Sequence, residues 1–373
     1  LFINDSTFNR FDFHSFGYDC FSDNMVIKGK QINLQGGNTW RFRNLTHIIT
    51  RSDGNAVEYF LNYCIGMRQD YASDCECNLT IDGLTVLWDK NLPAWYNTTR
   101  SFDVVRIIDT ANSTDQGIDS KLPYTINIRN VVFDLAGVQT GRPNANFEFS
   151  AVTALRSQFT DYSVTGKKTL LPDNIVVDGM TAINVQSTQN AVMCGIKLPT
   201  DLYQNYVGSR NKKGSDGTNA KVTLRNLHSV INSPVIELAA AQTVDMPGDA
   251  SSWNSNYLTS DYSWIPRITL ENCSPAIVHA SGAKAVVDIH GGKLARFYTN
   301  GNGNRCRVTG ADIELIPDSA GMAYLAADKT LVTGCSWLNP ANGATYTGTI
   351  RGSGNEMLGD TDKAPNLPSN AFI

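Results

Sequence analysis

A short phrase recurs along this chain and limits its fold more than any other feature: two or three alternating apolar residues, a polar residue, Gly or Asn, then usually another apolar residue. It reads VIKGK at Val26, WRFRNL at Trp40, LTIDGL at Leu79, INIRNV at Ile126 and IVVDGM at Ile175. It continues as VTLRNL at Val222, ITLENC at Ile268, VDIHGG at Val287, RVTGAD at Arg307 and LVTGCS at Leu331. Period-2 alternation is a strand signal, and Gly or Asn at one fixed place marks a bend that recurs once per unit. Strands that return in register with a bend at one place want to stack.

The marks fall at Gly29, Asn44, Gly83, Asn130, Gly179, Asn226, Asn272, Gly291, Gly310 and Gly334, at spacings of 15, 39, 47, 49, 47, 46, 19, 19 and 24. A three-strand coil needs about twenty residues, so the C-terminal coils look bare. In the longer units a second apolar segment follows the phrase (FDVVRIID, FEFSAVTALR, AVMCGIKL and PVIELAAAQ among them), and then a polar, aromatic-rich stretch. Loops entering at one corner of consecutive coils line up along one edge and wall a groove. The expected architecture is all-β: a single-stranded right-handed parallel β-helix of about ten coils over 25–340, with long loops inserted on one side. Residues 1–24 (with the cluster FNRFDFHSFGYDCF) are expected to cap the first coil, and 341–373 to form an irregular segment or linker. Asn44, Asn130, Asn226 and Asn272 share one phase, where amides can bond coil to coil. The glycosylation sequons at Asn44, Asn78, Asn97, Asn112 and Asn272 read as chance, two of them lying in that ladder.

With 42% hydrophobic and 18% charged residues, the composition is that of an ordered chain. The net charge of −4 and the absence of any Lys/Arg run longer than two argue against nucleic acid. No apolar stretch is long enough for a membrane helix, and LFINDSTFNR lacks the features of a signal peptide. The chain reads as an excised or processed piece of something longer. The eight cysteines read as buried free thiols, Cys194 and Cys273 sitting at core positions of strands.

No GxSxG, HExxH, paired CxxC, P-loop or complete GxGxxG occurs, so no metal or other cofactor is expected. His14, His47, His228, His279 and His290 show no ligand spacing and read as packed or solvated. The inserts carry aromatic rings: Trp88, Trp95, Tyr96, Phe159, Tyr162, Tyr203, Tyr206, Trp253, Tyr257, Tyr262 and Trp264. Sugars present apolar faces and hydroxyl edges, and amphipathic rings beside polar side chains match them. Trp88, Trp95, Tyr203, Trp253 and Trp264 are therefore candidate substrate contacts.

The coil phrase and one-sided inserts between Met25 and Leu338 resemble the pectin-lyase-like β-helix superfamily, and within it the phage tailspikes that depolymerise capsule or O-antigen. The resemblance implies a homotrimer on a virion tail, or else a secreted microbial enzyme, that binds bacterial surface polysaccharide. It implies cleavage by hydrolysis with paired carboxylates, or by β-elimination of a uronic acid. The NTD, DD, GHG and RIK motifs of plant-type polygalacturonases are absent, which counts against pectin.

Glycoside hydrolysis needs two carboxyl groups roughly 5 to 9.5 Å apart. With the apolar residues of each second strand pointed inward, Glu148 and Arg156 face outward, as do Glu237, Arg106 and Lys197. Glu148 and Glu237 border the inserts, with Asp109 at the end of its strand, Asp134 one strand earlier and Asp201 as a further partner. Glu148, Glu237 and Asp109 are the candidate catalytic groups. Arg156 and Lys197 are candidate substrate-binding cations, suited to the acidic sugar a lyase would take. The readings are a polysaccharide-degrading enzyme, hydrolase before lyase; a non-catalytic carbohydrate-binding adhesin; and a structural stalk, for which aromatic inserts would serve no purpose.

Overall fold

The computed structural model describes residues 1–13, 19–35, 38–50, 62–68, 77–91, 101–109, 123–138, 146–156, 169–171, 174–197, 206–209, 221–232, 243–245, 267–279, 286–298, 305–316, 325–326, 329–338 and 356–359. They form a right-handed parallel β-helix. The chain alternates between two large sheets, of 14 and 13 strands. Among the described residues every strand pairs in parallel with strands of neighbouring coils, except for the short antiparallel contact of Val230–Ile231 on Asn190–Lys197. No α-helix occurs among them.

The bend makes this geometry. Asp5, Asn24, Asn44, Gly83, Asn130, Gly179, Asn226, Asn272, Gly291, Gly310 and Gly334 all have positive φ and follow one another coil by coil. Only Gly, Asn and Asp tolerate this conformation at modest cost. The structure corrects the first mark: the bend of that coil is Asn24, while Gly29 turns a different corner. The anomalous first spacing came from this slip of phase. Within residues 1–24, Phe2–Asn4 and Asp19–Asp23 already pair in the first sheet. At the other end Glu356–Gly359 pairs with Lys329–Thr333, so the segment expected to be irregular contributes a strand.

The asparagines bond coil to coil, though chiefly to aspartates and not to each other. Asn44 donates to Asp23 (3.0 Å), Asn130 to Asp82 (3.2 Å) and Asn226 to Asp178 (2.8 Å); only Asn272 reaches an asparagine, Asn226 (2.9 Å). Asn44 and Asn272 remain exposed while held in this column. Each of these aspartates precedes the bend residue of its own coil. Register places them in a row of alternating sign: Asp23, Arg43, Asp82, Arg129, Asp178, Arg225, Glu271, then His290. Opposite charges facing across a ladder stabilise it and like charges destabilise it, so the row penalises a coil slipped by one place. Arg225 Nε lies 2.6 Å from Glu271 Oε2, and Arg43 pairs with Asp23.

Inside, each position is a column of similar side chains, such as Phe42, Ile81, Ile128, Val177, Leu224, Leu270, Ile289, Val308 and Val332, all buried. Aromatic rings fill the wide central coils, where Phe133 stacks on Phe149 at 4.0 Å between centroids. The residue after the bend shrinks from Leu45, Leu84, Val131, Met180 and Leu227 to Cys273, Gly292, Ala311 and Cys335. A Cβ on Gly292 would lie 2.3 Å from the Cys273 carbonyl oxygen. Cys20, Cys64, Cys194, Cys273, Cys306 and Cys335 are buried free thiols, as expected. Burial pushes the Cys20 and Cys273 thiols up to about 11, which makes them unreactive packing groups.

One polar core residue stands out. His47 is wholly buried in the column Ile27, His47, Val86, Phe133, its ring edge-on to Phe102 at 5.1 Å, and neither ring nitrogen has a partner. Burial pushes its pKa down to about 3. The unfolded chain therefore takes up a proton near pH 6.5 that the folded chain refuses until about pH 3, and stability falls as pH drops through this window, by roughly 1 kcal/mol per pH unit. His47→Leu should melt higher than the parent, with the gap in Tm widening between pH 7 and pH 5. A pH-independent gap would refute this account.

Candidate functional site

The long inserts run from the end of a second-sheet strand to the start of the next first-sheet strand, over 110–122, 157–173, 198–220 and 246–266. Two of them contain short strands, Thr169–Leu171 and Tyr206–Ser209, and these pair in parallel with each other. These two strands link the inserts of two consecutive coils.

The second-sheet strands that lead into these inserts present an outer face, where register sets three rows. Ser101, Glu148 and Val192 form one; Tyr63, Asp103, Ser150 and Cys194 form the next; Gly66, Arg106, Thr153, Lys197, Asp245, His279 and Tyr298 form the third. The strands do not alternate strictly. Val104 and Val105, and opposite them Ala151 and Val152, all lie in the barrel core. Two inward residues in succession reset the phase. The strict count used on the sequence therefore fails beyond Ala151.

The reset brings charges together along the strands. Glu148 and Lys197 form an ion pair across adjacent coils, with side chains 23% and 28% exposed, so solvent and ligand can reach both. Hydrolysis at this face would need a second carboxyl group beside Glu148. Val192, in the next coil, belongs to an apolar cluster outside the barrel with Ile277, Ala295 and Ile316. Its three core members are buried, so the cluster packs this side of the sheet and is not open to a ligand.

One coil earlier, Arg106 is less open than its outward position implied. Its Nε donates to Asp103 Oδ2 (2.7 Å), its Nη2 donates to Asn62 Oδ1 (2.9 Å), and its guanidinium lies 4.5 Å from the Tyr63 ring centroid. The side chains of Arg106 and Asp103 are 13% and 7% exposed. Asp103 stands diagonally beside Glu148 and was not singled out from the sequence, although alternation within FDVV points it outward. Fully engaged by Arg106, it braces this face of the sheet and is not placed as a proton donor. Asn62 bonds Ser101 (3.2 Å), and Asn190 bonds Asn146 (2.8 Å), tying successive strands at their entry.

Trp88 is a correction. It ends the strand Cys77–Trp88 inside the core, 5% exposed, with its ring 5.8 Å from that of Phe149 and 6.4 Å from that of Phe147. It continues the inward phase of Leu84 and Val86, and it is not a loop ring available to substrate. Asp134 is a structural acceptor, capping a short turn through Ala136 N (2.9 Å) and receiving Asn184 Nδ2 (2.7 Å). Asp109 pairs in register with Arg156 on the neighbouring coil, but both side chains lie outside the described residues. Glu237, Asp201, Trp95, Tyr203, Trp253 and Trp264 lie wholly outside them. Among the described residues no group of three or more His, Cys, Asp or Glu is placed to hold a metal, and no helix is long and apolar enough to cross a membrane. No protein-family model, curated protein or solved structure matches this chain.

Removing Arg106 leaves Asp103 charged and enclosed. Arg106→Met should cost about 2–4 kcal/mol, and adding Asp103→Asn should recover much of that. The check is a double-mutant cycle on the denaturation midpoint, and additive costs would show the pair is not coupled.

Proposed function

We propose that this chain binds a bacterial surface polysaccharide along its insert-bearing edge and cleaves it by glycoside hydrolysis, as a depolymerase of the phage tailspike kind. The observation that carries this reading is the parallel pairing of consecutive inserts beside an outer face bearing Glu148 and Lys197. Inserts that pair from coil to coil would form a wall along the helix axis, which suits a polymer better than a small molecule. A bare stalk has no use for such a wall. Glu148 supplies a carboxylate fixed on a strand. A second carboxyl group is required as acid, and Asp109 and Glu237 remain the candidates.

The Glu148 and Lys197 pair also admits a lyase, in which the ammonium would neutralise a uronate and the carboxylate would take up the α-proton. One experiment separates the readings. The protein is incubated with a panel of capsular and O-antigen polysaccharides while reducing ends and absorbance near 235 nm are followed together. The hydrolase produces reducing ends without absorbance, and Glu148→Gln should lower the rate about a hundredfold or more while binding persists. Absorbance that rises with the reducing ends would make it a lyase. Binding without either signal would leave a carbohydrate-recognition protein with no catalysis.

A further inference from the structure

The row that starts the first-sheet strands, on the far foot of the inserts, changes character along the helix. In the early coils it carries Asp19 and then the neutral Thr39, Asn78, Thr125 and Asn174. From the next coil it becomes Lys221, Arg267, Val286 and Arg305, and it ends with Lys329 opposite Glu356. Lys221, Arg267 and Arg305 are exposed, and none has an ion-pair or hydrogen-bond partner among the described residues. Lys221 and Arg267 face each other directly.

This arrangement contrasts with the same strands a few residues on. Four positions after Lys221 and Arg267, Arg225 is matched by Glu271. Two positions after Arg305, Arg307 Nε lies 2.8 Å from Asp288 Oδ1. The chain thus neutralises the cations on the bend side of these strands and leaves those on the insert side uncompensated. Like charges facing across a ladder are unfavourable. A chain of net charge −4 that keeps them has an anion to place there. Along the chain, the inserts 198–220 and 246–266 join Lys197 to Lys221 and Asp245 to Arg267, so the row lies one insert away from the strands of the Glu148 face in sequence.

We infer that the polysaccharide is anionic and lies along the helix axis, with its carboxylates on Lys221, Arg267 and Arg305; this rests on the proposed function and names its substrate class. The three cations span three rungs, roughly 14 Å. Lys221 and Arg267 lie one rung apart and Arg305 two rungs further, beyond Val286, so a polymer carrying several acidic groups can reach all three, whereas a single acidic sugar could engage only one end. Guanidinium groups at two of the three places favour planar carboxylates held through paired hydrogen bonds.

The test measures binding of alginate, hyaluronan and polysialic acid oligosaccharides at low salt, each beside its carboxyl-reduced neutral form. The Lys221→Gln/Arg267→Gln/Arg305→Gln variant is compared with a Lys28→Gln/Arg41→Gln/Lys90→Gln control of equal charge change, which alters exposed cations elsewhere. The inference expects at least one acidic chain to bind in preference to its reduced form. It also expects the row variant to lose about tenfold or more in affinity, with a shallower salt dependence, while the control is unchanged. The Tm of the row variant should equal or exceed the parent's, because repulsion has been removed. Equal losses in row variant and control, or no preference for any acidic chain, would overturn the inference. Cleavage of a neutral polysaccharide by parent and row variant alike would overturn it while leaving the proposed function intact. Single-stranded DNA bound as tightly as the acidic sugars, with the same loss in the row variant, would make this a general polyanion row and overturn the assignment to sugar.

Discussion

Stacking coils in register requires that every coil turn through the same angle at the same place, and in this chain a residue at positive φ sets that turn. For an ordinary L-residue the conformation costs about 1–2 kcal/mol, so the column is restricted to Gly, Asn and Asp. The choice among them is not free either. Where a coil uses Gly, as at Gly83 and Gly179, the preceding Asp accepts from the Asn amide of the next coil. The backbone requirement and the polar ladder are therefore one device: glycine removes the strain and asparagine offsets it with a hydrogen bond. The charge row one position earlier adds discrimination, since a slipped coil would oppose like charges.

Much of this was legible in the sequence because it repeats. Strand, bend and insert recur in the same order, and the stacking of coils follows from spacing, although the first and last strands of the first sheet, Phe2–Asn4 and Glu356–Gly359, fell outside the repeat as read. The alternating charges were legible too, as Arg before Asn and Asp before Gly in WRFRNL, LTIDGL, INIRNV and IVVDGM, but only aligning the coils gives that pattern a physical meaning. The misplaced mark at Gly29 shows the limit of reading residue type without register, since Gly29 and Asn24 both satisfy the rule. The phase of Trp88 was readable from Val86, yet the polar stretch after it drew the ring into the loop.

The site was harder to read because it depends on a break in the rule that found the fold. Strict alternation assigns each side chain from its neighbours, and two successive inward residues at Val104 and Val105, or Ala151 and Val152, look like an ordinary apolar run. Their effect appears only in three dimensions, where charges separated along the strand meet across coils, as Glu148 and Lys197 do. Asp103 escaped notice for a related reason. Its meaning lies in Arg106, which donates to it and is itself held by Asn62 and Tyr63 of the neighbouring coil.

The same architecture explains how a binding surface can be held at small cost to the fold. In a stacked helix each coil contacts only its neighbours, and its stability comes from buried columns worth about 1.5–3 kcal/mol for each large apolar side chain. An unneutralised pair of cations across a ladder costs a few tenths to about 1 kcal/mol. One row can therefore carry Lys221 and Arg267 face to face while Val222, Leu224, Ile268 and Leu270, on the same two strands, keep the coils together. Because outward and inward positions alternate along these strands, the charge of the row can change without touching the columns beneath it. The coils that carry the wall need only keep their bends in phase.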